Sequence, residues 1–239
     1  AHSVAESLEA LAIAQREFGR VTFDLIYARP DQSEPEWRSE LECAIGFGAN
    51  HMSLYQLTIE EGTRFASDVR KGVFTPADDD RGADLYAVTQ EIMNAANLPA
   101  YEISNHARPG EESRHNLIYW RYQDYIGVGP GAHGRLTIDG TRIATEAARR
   151  PADYISIPHP AETQLTTLDT AREFLAMSLR PVQGMDLARF GTLFGCPPKP
   201  EILEALTTNG LARITGSTLK LTPAGQLLAD HIAGQLAPY

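Results

Sequence analysis

A β-branched and aromatic run, Val21-Thr22-Phe23-Asp24-Leu25-Ile26-Tyr27, is followed six residues later by a helix-start signal. This strand-then-helix rhythm constrains the fold more than any other feature. The run reads as a buried strand, ended by a loop containing Pro30 and Asp31. Ser33 and Glu36 stand at the capping-box interval, and Trp37, Leu41, Ala44 and Ile45 share one helical face until Gly46 and Gly48 break it. Residues 51–59 give another strand, and residues 80–96 another helix with Leu85, Val88, Ile92 and Met93 inward. A helix precedes them all, with Ser3 and Glu6 as its capping box and Val4, Leu8, Leu11 and Ala12 at helical spacing. Strands and helices alternating across short connections indicate parallel βα units, an α/β fold.

From Tyr101 the texture changes, with His, Asn, Tyr, Trp and Gly dense through residue 135. Residues 135–138 and 141–145 flank Asp139-Gly140, a pair suited to a two-residue hairpin turn. Pro151, Pro158 and Pro160 mark a linker. Beyond it, residues 169–180, 186–194 and 200–209 read as helices, followed by two short strands around Gly216 and a helix from Pro223 capped by Thr222. The expected organisation is a βα part over residues 1–100, a β-rich extension over 101–150 and a helical, winged-helix-like domain over 165–239.

At 239 residues the chain suits one large domain or two modest ones, and 43% hydrophobic against 22% charged residues is a globular composition. No apolar run approaches the ~18 residues of a membrane-spanning helix. The net charge of −10 argues against a nucleic-acid partner. The carboxyl-terminal module repeats that message, because residues 169–239 hold six basic and six acidic side chains and so lack a phosphate-neutralising face. Cys43 and Cys196 have no Cys or His at metal-ligand spacing, which suits a reducing cytoplasm and leaves no cluster motif. The chain opens on Ala1 without an initiator Met, as a piece of a longer protein would.

Three sets of residues are candidates for chemistry. Gly129-Pro130-Gly131-Ala132-His133-Gly134 has dinucleotide-binding spacing, but that motif needs a helix directly after it, and here a strand-like hairpin follows. A tight loop letting two backbone segments cross is the better reading. Asp24 is an acid in an apolar strand: a salt bridge or cap explains it, and so does a ribose-binding carboxylate near the strand end of a βα fold. His115 and Tyr119 are four apart, which is one face of either a helix or a strand. Both are potential axial ligands of haem iron, and Trp120, Tyr122 and Tyr125 offer flat apolar surface to a porphyrin. Composition alone favours ordinary core packing for this stretch, and gives His51, His106 and His133 no larger role.

Taken in order, several segments resemble the HemW-type haem chaperones: Asp24-Leu25-Ile26-Tyr27 with Gln32; His51 to Thr58 with Glu60, Gly62 and Thr63; Tyr101 to Asn105; Ser113 and His115-Asn116 with Tyr119-Trp120; and Asp124 to His133. That family sits in the radical S-adenosylmethionine (SAM) group, beside the oxygen-independent coproporphyrinogen III oxidases. The resemblance implies the carboxyl-terminal part of a radical-SAM partial (β/α) TIM barrel, followed by a small helical winged-helix-like domain. It implies Asp24 as a SAM-ribose ligand, and His115, Asn116 and Tyr119 as a haem-associated His-Asn-x-x-Tyr motif with His115 on the iron. The family's cofactors are SAM and a [4Fe-4S] cluster, whose three-cysteine motif lies upstream in relatives and is absent from this sequence. His106 replaces a usual aromatic, and residues 28–33 replace a glycine-containing loop.

The implied function is a cytoplasmic haem chaperone delivering haem to acceptor haemoproteins, respiratory ones among them, with membrane association only through partners and homodimers within the family's range. The alternative it carries is coproporphyrinogen III oxidation or dehydrogenation in porphyrin biosynthesis. A barrel without its first strands would expose a sheet edge and part of its inner face, calling for cover from another chain.

Overall fold

The computed structural model describes residues 3–157 and 159–237, so Ala1 and the linker residue Pro158 lie outside the described residues. The chain forms two compact units, Ala1–Ser113 and Arg114–Tyr239. Among the described residues no helix is long and apolar enough to cross a membrane.

The first unit runs α1 (Val4–Glu17), β1 (Thr22–Tyr27), α2 (Glu34–Ile45), β2 (His51–Gln56), α3 (Arg64–Arg70), α4 (Asp79–Ala95), β3 (Ala100–Glu102) and β4 (Asn105–Ala107). Both expected capping boxes form, Ser3 with Glu6 and Ser33 with Glu36. The sheet order is β1-β2-β4-β3, with β1 and β2 parallel and β4 antiparallel to both neighbours. The antiparallel end departs from an all-parallel reading. Its cause is local: Glu102 accepts bonds from the Ser104 amide (2.8 Å) and the Asn105 side-chain amide (2.6 Å), closing a turn that returns the chain along β2.

Trp37 of α2 anchors the core of this unit. It is fully buried, stacks on Tyr27 at 4.8 Å and donates to Thr89 Oγ1 at 2.8 Å, amid Leu41, Met52, Leu54, Leu85 and Met93. β1 is not buried on both sides. Phe23, Leu25 and Tyr27 face this core, whereas Thr22, Asp24 and Ile26 are exposed, because the helices cover one face of the sheet only. α1 likewise buries no residue, and Val4 and Leu8 of its apolar stripe are exposed.

The second unit begins with α5 (Arg114–Trp120) and the hairpin of β5 (His133–Ile138) and β6 (Thr141–Glu146). Asp139 and Gly140 both take positive φ, 49° and 77°, as a two-residue turn between right-twisted strands requires. The stretch expected as a linker is ordered: α6 (Pro151–Ser156) uses Pro151 at its first turn, where no amide is needed, and β7 (Ala161–Gln164) adds to the hairpin edge beside β6. Then follow α7 (Thr167–Ser178), β8 (Met185–Asp186), α8 (Leu187–Phe194), α9 (Pro200–Thr208), β9 (Ala212–Thr215), β10 (Thr218–Leu221), α10 (Pro223–Gln226) and α11 (Ala229–Leu236). Three strands in the order β8-β10-β9 and the surrounding helices enclose a core of Phe174, Leu175, Met185, Phe190, Leu219 and Ile232.

Candidate functional site

Asp24 sits mid-strand in β1, its Cα in register with Ser53 of β2. On the same strand face, Thr22 Oγ1 bonds His51 Nδ1 at 2.7 Å and His51 Nε2 bonds Tyr101 OH at 2.8 Å. His51 is buried, and burial holds its pKa below the ordinary histidine value despite the nearby Asp24 carboxylate. An exposed carboxylate beside a neutral, hydrogen-bonded imidazole can accept two hydroxyl donors, which fits a ribose diol. Sequence reasoning missed His51 here. The usable signal was period two, since Thr22 and Asp24 fall on one face and the parallel register sets His51 and Ser53 beside them.

His115, Asn116 and Tyr119 come together within a single helix, α5. Tyr119 OH lies 3.0 Å from His115 Nε2, the two rings meeting edge to face at 4.8 Å, and His115 Nδ1 approaches Asn116 Oδ1 at 3.4 Å. In the tautomer with the ring proton on Nδ1, Asn116 Oδ1 accepts it, and Nε2 offers its lone pair to the tyrosine hydroxyl. That lone pair is the one an iron would take. His115 is exposed, and Tyr125 extends the aromatic row by packing edge to face on Tyr119 at 4.5 Å.

The other aromatics divide. Tyr122 belongs to the core: it packs on Phe174 at 5.7 Å under the Arg142 guanidinium, and burial pushes its hydroxyl up to about 12. It is therefore withdrawn from any porphyrin surface. Trp120 lies under the Arg180 guanidinium at 4.7 Å, with its indole Nε1 buried and unpartnered among the described residues. The glycine-rich loop is a crossing. A Cβ on Gly127 would overlap the His133 backbone, the chain enters β5 rather than a helix, and Tyr125 pairs with Arg135 alongside.

Known proteins resemble the chain in sequence and in fold. Residues 165–228 match the model of the HemN C-terminal domain. A heme chaperone HemW of Mycobacterium tuberculosis is 35% identical over 98% of this chain and 58% of its own length. Its sequence is similar to HemW-type radical-SAM proteins along nearly its whole length. Another relative, the radical S-adenosyl methionine domain-containing protein 1 of Dictyostelium discoideum, is 33% identical over 100% of this chain and 61% of its own length. The chain thus spans about three-fifths of the length of these relatives. A solved structure of coproporphyrinogen III oxidase (HemN) from Escherichia coli, described as a radical SAM enzyme, superposes with a TM-score of 0.73 at 18% identity, covering 100% of this chain and 60% of that one. That likeness establishes the α/β radical-SAM fold.

The family implies an iron–sulfur cluster, and the described residues do not supply one: Cys43 and Cys196 are both exposed, and no group of three His, Cys, Asp or Glu side chains is placed to hold a metal ion.

Proposed function

We propose that this chain binds haem as cargo through His115 Nε2 and hands it to acceptor haemoproteins, respiratory ones among them. The observation that carries the reading is the His115–Tyr119 contact: an exposed imidazole whose Nε2 lies 3.0 Å from a tyrosine hydroxyl rather than buried in a core. The chaperone names of relatives that align over nearly the whole chain support it.

In this reading Tyr119 is a placeholder and not a second ligand. Axial ligands approach iron from opposite faces of the macrocycle, and two side chains one helical turn apart on α5 cannot straddle it. Iron entering at Nε2 displaces the Tyr119 hydroxyl. On release the hydroxyl returns to Nε2, which lowers the cost of leaving that lone pair bare. Asn116 holds the proton on Nδ1 throughout. Asp24 accepts hydrogen bonds from the SAM ribose when SAM is bound, and SAM supplies the family's regulatory or radical chemistry. The protein works in the cytoplasm, reaches membranes only through its partners, and forms a homodimer that covers the open sheet face.

The test is a hemin titration of the wild type and His115→Ala, read in the Soret band. The wild type saturates with an imidazole-ligated spectrum, the variant does not, and added free imidazole restores that spectrum to the variant. Identical titrations of the two proteins would remove the assignment.

A further inference from the structure

Away from the His115 row, the second unit contains a cavity of about 600 Å³ between the hairpin β5–β6, the start of α7 and helix α8. Its wall includes Arg142, Arg189, Thr137, Thr141, Gln164 and Thr167. The volume falls within the ~300–1,000 Å³ of small-molecule sites, but the lining is polar and cationic rather than greasy.

The two guanidiniums are unequally compensated. Arg142 is 8% exposed, ion-paired to Asp124, and bonded to Thr137 Oγ1 (3.0 Å) and the Gln123 carbonyl (3.0 Å), with its Nε buried and unpartnered among the described residues. Arg189 has no carboxylate at ion-pair distance among the described residues. It donates to the carbonyls of Arg121 (2.6 Å) and Tyr122 (2.8 Å), which uses two of its five N–H groups. Burial first, and then the positive charge of Arg142, lower its pKa. Asp124 is already engaged by Arg142 and by the Thr137 amide (2.7 Å) and hydroxyl (2.9 Å). Asp186 and Asp124 act on Arg189 only through space, so among the described residues its guanidinium has no directly paired carboxylate, inside a chain of net charge −10. The amino end of α7, a 12-residue helix, adds positive dipole at Thr167.

We propose that this cavity binds a small molecule carrying carboxylate or phosphate oxyanions, held by Arg189 and Arg142. The site does not depend on the haem reading. It pairs the fork of Arg189 with an oxyanion where, among the described residues, no carboxylate is in direct contact with that fork. Threonine hydroxyls and the Gln164 amide supply neutral hydrogen bonds around the rest of the ligand.

Citrate and inorganic phosphate, added separately, test this by thermal melting and calorimetry on the whole chain. At least one should raise the melting temperature saturably, and the stronger responder identifies the oxyanion chemistry. Arg189→Gln should abolish the response. Because that change also removes two bonds to the 121–122 backbone, Thr167→Asp is the cleaner probe: an acid suits the first turn of α7, so folding is kept while affinity falls about tenfold or more. Three results would overturn the proposal: no response to either anion, a response that sodium chloride reproduces at equal ionic strength, or a Thr167→Asp variant that responds like the wild type.

Discussion

Asp24 and His115 are the residues to which the family resemblance assigns the two binding roles, and their settings differ in kind. His115 finds its partners within four residues of itself, on one short helix. Asp24 owes its setting to residues 27 to 77 positions away, through the pairing of β1 with β2 and the bond from His51 to Tyr101. A site made within one helical turn survives almost any change in packing that leaves the turn intact. A site made across strands is only as secure as the core that holds the strands.

The sharpest way to break this contrast is to remove the core beneath β1. Trp37→Ala deletes a fully buried ring together with its bond to Thr89, and should cost about 3–5 kcal/mol in urea denaturation of the first unit. A loss below about 1 kcal/mol would mean that β1 is held by something other than this core.

His106 gives the next largest effect. It stands on β4 with 1% exposure, its Nε2 is 3.3 Å from the Gln90 amide nitrogen, and burial lowers its pKa to about 4. The folded state keeps the ring neutral while the unfolded state protonates near 6.5. Its contribution to stability is therefore complete above about pH 6.5 and lost as pH falls toward 4, with a slope nearing about 1.4 kcal/mol per pH unit. His106→Phe, which replaces the imidazole by an apolar ring that cannot take up a proton, should flatten that acid limb. An unchanged slope would place the proton uptake elsewhere.

Smaller still is the cap of α2. Ser33→Ala removes a reciprocal pair with Glu36 and should lower stability by about 1 kcal/mol, measured at neutral pH. Tyr119→Phe is the subtlest change and bears directly on the helical site. Freeing Nε2 of a neutral hydrogen bond worth about 0.5–1 kcal/mol should tighten haem binding roughly threefold. Weaker binding would make Tyr119 a ligand and overturn its role as placeholder.

These contrasts also explain what was legible before the structure. Signals written in adjacent residues survived: the capping boxes at Ser3 and Ser33, the Asp139-Gly140 turn, and the glycine crossing at 129–134. The His115–Tyr119 pair was readable because four-residue spacing converges in both kinds of element, although nothing in the seven residues of α5 declared a helix. Nonlocal facts were not legible. The exposure of Asp24 depends on which sheet face the helices cover, and three-residue strands such as β3 and β4 are too short to show periodicity. Tyr122 looked like its aromatic neighbours, but its partners Glu173 and Phe174 lie more than fifty residues on. Pro151 marked a helix start rather than a linker, because the same ring geometry serves both.

The central claim is that an imidazole nitrogen held by a neighbouring hydroxyl exchanges that hydrogen bond for iron. Resonance Raman spectroscopy of the ferrous haem-loaded chain tests it at the bond itself. The expected result is an iron–imidazole stretching band that shifts with ¹⁵N-histidine labelling, persists in Tyr119→Phe and disappears in His115→Ala. A band that survives His115→Ala, or none in the loaded wild type, would contradict it.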